Sequence, residues 1–119
     1  MSPEWEQAVV DAQDAVGLGR WWQHALGWTR VNVDPDDYEI RPSPDRLPGL
    51  LSLSVREAKS GKNRLHPDFR PDDRDGEVKR LLDLGATLVD IGRRAQSWAV
   101  LADREGNEFC VLGSKKQTS

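Results

Sequence analysis

Cysteine occurs once in this chain, at Cys110, and histidine twice, at His24 and His66. A single cysteine excludes an internal disulfide and fits a reducing compartment. No stretch approaches the roughly 20 consecutive apolar residues of a membrane-spanning helix. No N-terminal apolar run resembles a signal peptide, so a cytoplasmic protein without a membrane partner is expected. Neither sign of charge dominates: 17 Lys and Arg against 20 Asp and Glu leave a net charge of -3. A nucleic acid needs a basic face, and none is encoded. Lys115 and Lys116 form the longest basic run and read as part of a solvated polar tail. A glycine-rich phosphate loop is missing, as is a Ser/His/Asp nucleophile signature, so neither a nucleotide site nor a hydrolase triad is supported.

What remains suffices for a modest core. Hydrophobic residues make up 37% of the 119, with five tryptophans, and the 31% that are charged alternate in sign along the surface. A chain of this length forms one compact domain, or two half-size units too small to be stable apart.

The stretch from Lys62 to Gly85 organises the reading. His66 stands seven residues before Asp73, and a helix follows to Leu84 and Gly85; Gln7 stands seven residues before Asp14, and a helix follows to Leu26 and Gly27. The offset between the two copies is half the chain, identical at the first two landmarks and one position shorter at the glycine. In the first half, Trp5 to Asp11 reads as a strand with Trp5, Gln7, Val9 and Asp11 on one face. Asp14 suits an N-cap, Ala15, Val16, Leu18, Trp22, Ala25 and Leu26 recur at helical spacing, and Gly27 suits a left-handed C-cap. Gly17 and Gly19 each cost that helix about 1 kcal/mol relative to alanine, which points to a close packing contact or to a later helix start. Strands are expected over 28–33, 38–41 and 50–56, with Leu51, Leu53 and Val55 sharing a face, and a proline-rich loop over 41–49. Glu57 to Lys62 reads as the joint between halves. The second half repeats the order: a strand over 63–70, a helix capped by Asp72 or Asp73 to Leu84, then strands over 87–91, 97–102 and 108–112. Each half is βαβββ.

The double βαβββ order, the helix ends LGW and LGAT, KNRLH before the second helix and DREGNEFCVL near the C-terminus are similar to the vicinal oxygen chelate superfamily, the glyoxalase/bleomycin-resistance/dioxygenase group. The likeness is closest to its small glyoxalase-like domains and runs from about Trp5 to Gly113. It implies an α+β fold in which two βαβββ modules form a curved mixed sheet around a central cleft, as a single domain over 1–119. Module one would cover about 4–57 and module two about 62–113, with a polar tail over 114–119. It also implies a divalent metal ion held by the first and last strands of the modules. Carried onto this chain, those positions match Gln7, His66 and Glu108. With Gly49 aligned to Gly106, Leu51 falls opposite Glu108, so the fourth position is apolar.

Each candidate has a plainer role open to it. His66 is a metal ligand through a neutral ring nitrogen, or a histidine hydrogen-bonded to Asp68 or water. Glu108 is a ligand, a general base, or a solvated glutamate after a turn. Gln7 offers only a neutral amide. Trp98, Asp68 and Leu51 are the expected substrate-cleft residues. Cys110, on the Glu108 face, reads as a small buried hydrophobe, and His24 as exposed. The resemblance implies a glyoxalase-like, metal-dependent enzyme acting on a small molecule with vicinal oxygens, with lyase, isomerase or dioxygenase chemistry. The alternative is a metal-free protein that sequesters a small molecule, in the manner of bleomycin resistance. Because exposed sheet edges are often covered by a second chain, a homodimer is expected.

Overall fold

The computed structural model describes residues 2–90 and 98–115. The chain divides into two units, Met1–Ala58 and Lys59–Ser119. Each unit carries one helix and its own four-stranded mixed sheet, making the fold α+β.

In the first unit the elements are β1 (Gln7–Ala12), α1 (Ala15–Leu26), β2 (Thr29–Arg30), β3 (Tyr38–Arg41) and β4 (Gly49–Ser54). Asp14 caps α1, its Oδ1 accepting from Gly17 N at 3.0 Å. Gly27, at φ 68°, ends the helix with its N–H on the Gln23 carbonyl, a left-handed conformation that side chains with a Cβ resist. The stripe read from the sequence is the buried one, with Ala15, Leu18, Trp22 and Ala25 covered. Trp21 is buried as well, its ring edge-on to Trp22 with centroids 5.0 Å apart. Gly19 explains its own presence: a Cβ there would stand 2.4 Å from the Tyr38 Cβ, so β3 approaches the helix where the side chain is missing.

The sheet order is β1-β4-β3-β2, with β1 and β4 parallel and the other pairs antiparallel. Tyr38 pairs with Ser52 and Ile40 with Leu50, on the helix side. Gln7 pairs with Gly49 and Val9 with Leu51, on the other face. Parallel strands cannot be joined by a hairpin, so the intervening helix and two strands make the crossover.

The second unit repeats this with β5 (Asp68–Phe69), α2 (Arg74–Asp83), β6 (Thr87–Asp90), β7 (Ala99–Ala102) and β8 (Glu108–Val111) in the order β5-β8-β7-β6. Asp68 pairs in parallel with Cys110, and Phe69 with Val111. Phe109, Leu101 and Val111 are almost wholly buried, each stabilising by roughly 1.5–3 kcal/mol. Phe69 adds an edge-to-face contact to Phe109 at 6.0 Å. The second helix is the weaker partner: Leu81 is its one buried residue, and Asp73 makes no side-chain capping bond. All four residues of β6 are exposed.

Two expected strands are shorter in the structure. The strand expected over 28–33 is paired only at Thr29 and Arg30, because Asn32 turns its side chain into the ladder, accepting from Glu39 N and donating to the Asp37 carbonyl. The strand expected over 63–70 is paired only at Asp68 and Phe69. Asn63 N donates instead to the Glu108 carboxylate, and Pro67 has no N–H to give. Ile91 and Ser97, the ends of two other expected strands, and tail residues 116–119 lie outside the described residues.

Candidate functional site

Alternation along β8 sorts its side chains onto two faces. Phe109 and Val111 enter the core, while Glu108 and Cys110 lie on the opposite face. The parallel register then fixes Asp68 beside Cys110. His66, two residues before Asp68, joins them through its ring: Nδ1 lies 3.0 Å from Asp68 Oδ1 and 3.7 Å from Cys110 Sγ. The three potential ligand atoms all lie within 4.8 Å of one another, and among the described residues this is the group of three that could hold a metal ion. His66 and Asp68 are nearly half exposed, whereas Cys110 is buried.

Burial and the neighbouring Asp68 carboxylate push the Cys110 thiol up to about 11, with Lys62 opposing weakly. The thiol is therefore protonated at neutral pH and is no nucleophile on its own. The plainer sequence reading of Cys110 as a covered side chain agrees with its 6% exposure.

Glu108 is placed differently from the other three. Its Oε1 is 3.0 Å from Lys59 Nζ and accepts from Asn63 N at 3.2 Å. Lys59 also donates to the Gly61 carbonyl. The lysine hydrogen bond, supported by the Asn63 amide, holds the Glu108 carboxyl below its ordinary value against the opposing effect of burial. The carboxylate is ionised and already has a cation.

The remaining expected residues are described each within its own unit. Trp98 precedes β7 and is 41% exposed. Gln7 and Leu51 belong to the first unit, on the sheet face away from α1. His24 is exposed, as expected. The register also corrects one alignment. Leu51 sits against Val9 as Cys110 sits against Asp68, so the counterpart of Leu51 is Cys110 and that of Glu108 is Gly49. Aligning Gly49 with Gly106 is two residues out of step. Neither Gly49 nor Leu51 supplies a donor side chain, so these two positions of the first unit's last strand still offer none.

Two contributors escape a reading of the sequence. Lys59 lies in the connector with nothing local to mark it, and the whole second unit up to its last strand separates it from its partner Glu108. Cys110 as a neighbour of His66 depends on the β5–β8 register, and no run of residues signals that.

Comparison with known proteins follows the same outline. A family model described as Glyoxalase-like domain matches residues 7–112. No curated protein matches significantly. Among solved structures, a glyoxalase/bleomycin resistance protein/dioxygenase family enzyme from Burkholderia phytofirmans PsJN superposes with a TM-score of 0.78 at 17% identity, covering 95% of this chain and 100% of that one. Glyoxalase I of Leishmania major gives 0.71 at 12% identity, covering 94% and 87%. The fosfomycin resistance protein FosX of Listeria monocytogenes, complexed with Mn(II) and 1S,2S-dihydroxypropylphosphonic acid, gives 0.73 at 9% identity, covering 97% and 92%. At these identities the likeness is one of fold.

Proposed function

Because this chain belongs to the glyoxalase-like domain family, we propose that it is a metal-dependent enzyme acting on a small molecule with vicinal oxygen atoms. The observation that carries the reading is His66, whose ring nitrogen stands among oxygen and sulfur donors on the β5–β8 face away from the core. The donors fit a divalent ion: an imidazole is the commonest protein ligand, and carboxylate and thiol groups supply negative charge beside it. His66 anchors the ion. Glu108 is a further ligand or the base, and Gln7 the ligand that the family relationship adds from the first unit. A bound ion would polarise the substrate oxygens and lower the cost of an oxyanionic transition state.

The chain's own residues do the rest. In the ion-free protein Asp68 holds the His66 ring in orientation through the 3.0 Å contact to Nδ1. Lys59 keeps Glu108 ionised and, by lowering its proton affinity, favours its use as a charged ligand over its use as a base. Asp68 and Trp98 are assigned to substrate contact in the second unit and Leu51 in the first. Lyase, isomerase and dioxygenase chemistry are all compatible with this donor set, since one scaffold hosts many reactions. We assign the protein to the cytoplasm and to a homodimer, for which light scattering should return about twice 13.4 kDa.

Metal analysis of protein purified without chelator tests the reading. One ion per chain in the wild type, lost in His66→Ala, is the expected result; an ion-free wild type that also takes up none at millimolar concentration defeats it. The second reading is a metal-free protein that sequesters a small organic molecule. The Lys59 ammonium already neutralising Glu108, with Gly49 and Leu51 giving no donor, favours it. Under that reading, tryptophan fluorescence is quenched saturably by a small molecule with no metal added.

A further inference from the structure

We propose that the ion in the second unit is held by His66, Asp68 and Cys110, making a nitrogen–oxygen–sulfur site for a zinc-class cation, while Glu108 stays outside it. This deepens the preceding reading and rests on its claim that this unit binds a divalent metal.

The geometry is close to what such an ion requires. Zinc bonds of about 2.0–2.3 Å to N, O and S, arranged as a tetrahedron, put donor atoms roughly 3.3–3.7 Å apart. Here His66 Nδ1 and Cys110 Sγ are 3.7 Å apart, and His66 Nδ1 and Asp68 Oδ1 are 3.0 Å apart. These two pairs adjust by a few tenths of an ångström, and the third, Asp68 with Cys110, lies within 4.8 Å; Asp68 and His66 have freedom to move because their side chains are 47% and 43% exposed. Cys110, the rigid member, is fixed in β8 and paired with Asp68 across the parallel strands.

Charge and chemistry agree with the geometry. On binding, the metal–sulfur bond forms as the thiol proton leaves to solvent. One thiolate and one carboxylate then balance the dication, with His66 neutral. A thiolate beside an imidazole selects zinc-class ions over magnesium, which prefers oxygen donors. Three protein ligands leave a fourth position for water or a substrate oxygen, the arrangement of catalytic rather than structural sites. Glu108 has less claim to the ion than its expected role suggested, since its Oε1 is already engaged by the Lys59 ammonium and the Asn63 amide.

Titration with Co(II), read by absorption, decides the matter. Cys110 is the only cysteine in the chain, so any sulfur-to-cobalt charge-transfer band in the near ultraviolet reports on that residue alone. The expected result has four parts. The wild type gains the band at one equivalent. Zn(II), but not millimolar Mg(II), displaces it. Glu108→Gln keeps it. Cys110→Ser loses it while retaining the wild-type circular dichroism. Should the serine variant fail to fold, Asp68→Asn at an exposed position is expected to weaken Co(II) binding and keep the band. Co(II) binding by the wild type without the band, lost in Glu108→Gln, would overturn the assignment and leave the metal-dependent reading standing. No Co(II) binding by the wild type would remove both.

Discussion

Gly19 and Glu108 show how far a single residue's neighbours decide its role. Alanine favours a helix over glycine by about 1 kcal/mol, yet a Cβ at Gly19 would overlap Tyr38 atoms at 2.4–2.6 Å. Gly19→Ala should therefore lower stability, by roughly 1–3 kcal/mol as for other overpacked cores, in urea denaturation. A midpoint equal to or above that of the wild type would mean that Tyr38 moves aside at little cost.

For Glu108 the sign follows from its lowered value. A carboxyl whose folded value lies below its unfolded one contributes stability that is present above the unfolded value, here about 4.5. That contribution is lost as pH falls through the lower folded value. Lys59→Met removes the principal cause of the shift. The stability difference between wild type and Lys59→Met should thus be greatest near neutral pH and shrink below about pH 4.5. A difference that stays constant from neutral to strongly acidic pH would count against the ion pair as its source. The Cys110 thiol, raised to about 11, predicts slow alkylation by a neutral-pH thiol reagent in the metal-free protein; reaction at the rate of free cysteine would contradict its burial.

At the scale of the element, the two helices differ in ways their capping residues alone do not reveal. Asp14 and Asp73 are equivalent in sequence, but only Asp14 closes a side-chain bond onto its helix. Asp14→Ala should cost about 1 kcal/mol. Asp73→Ala should cost a few tenths, its remaining benefit being the favourable charge at a helix start. Equal costs in chemical denaturation would show the two caps to be alike in solution.

Both helices and the strands over 38–41, 50–56 and 108–112 were legible within one or two residues, because apolar spacing, aspartate caps and Gly27 all act locally. The strands over 28–33 and 63–70 were overread for a physical reason. Their composition suits pleated backbone, but Asn32 and Glu108 hydrogen-bond backbone groups that a ladder would otherwise use. No count of β-branched residues anticipates that competition. Among site residues, His66 and Asp68 stood two apart in one strand and could be paired on paper. Cys110 and Lys59 each meet their partner across more than a third of the chain, where only register and the path of the connector decide the neighbour.

On the scale of the whole molecule, one strand order occurs twice. The offset that separates Gln7 from His66 also separates Gly49 from Glu108, once the registers are known. What the repeat concealed was unequal quality. The first unit covers its sheet with a helix burying six residues, the second with a helix burying one. A metal ion bridging β5 and β8 would add its own binding energy where packing is thinnest. If the ion binds only the folded state, the melting temperature of the whole chain should rise with Zn(II) concentration, by an increment following RT ln(1 + [L]/Kd). A melt unmoved by saturating Zn(II) would indicate that the ion stabilises nothing.

The parallel pairing of the first and last strand in each unit also has a consequence in time. Gln7 meets Gly49 and Asp68 meets Cys110, the same long separation in both units. At about 5–20 residues per second of synthesis, each opening strand waits several seconds before its partner has even been made. Folding of either unit cannot run along the chain as it emerges. It closes from its far end, and until then β1 and β5 are unpaired edges that the growing chain must keep from other partners.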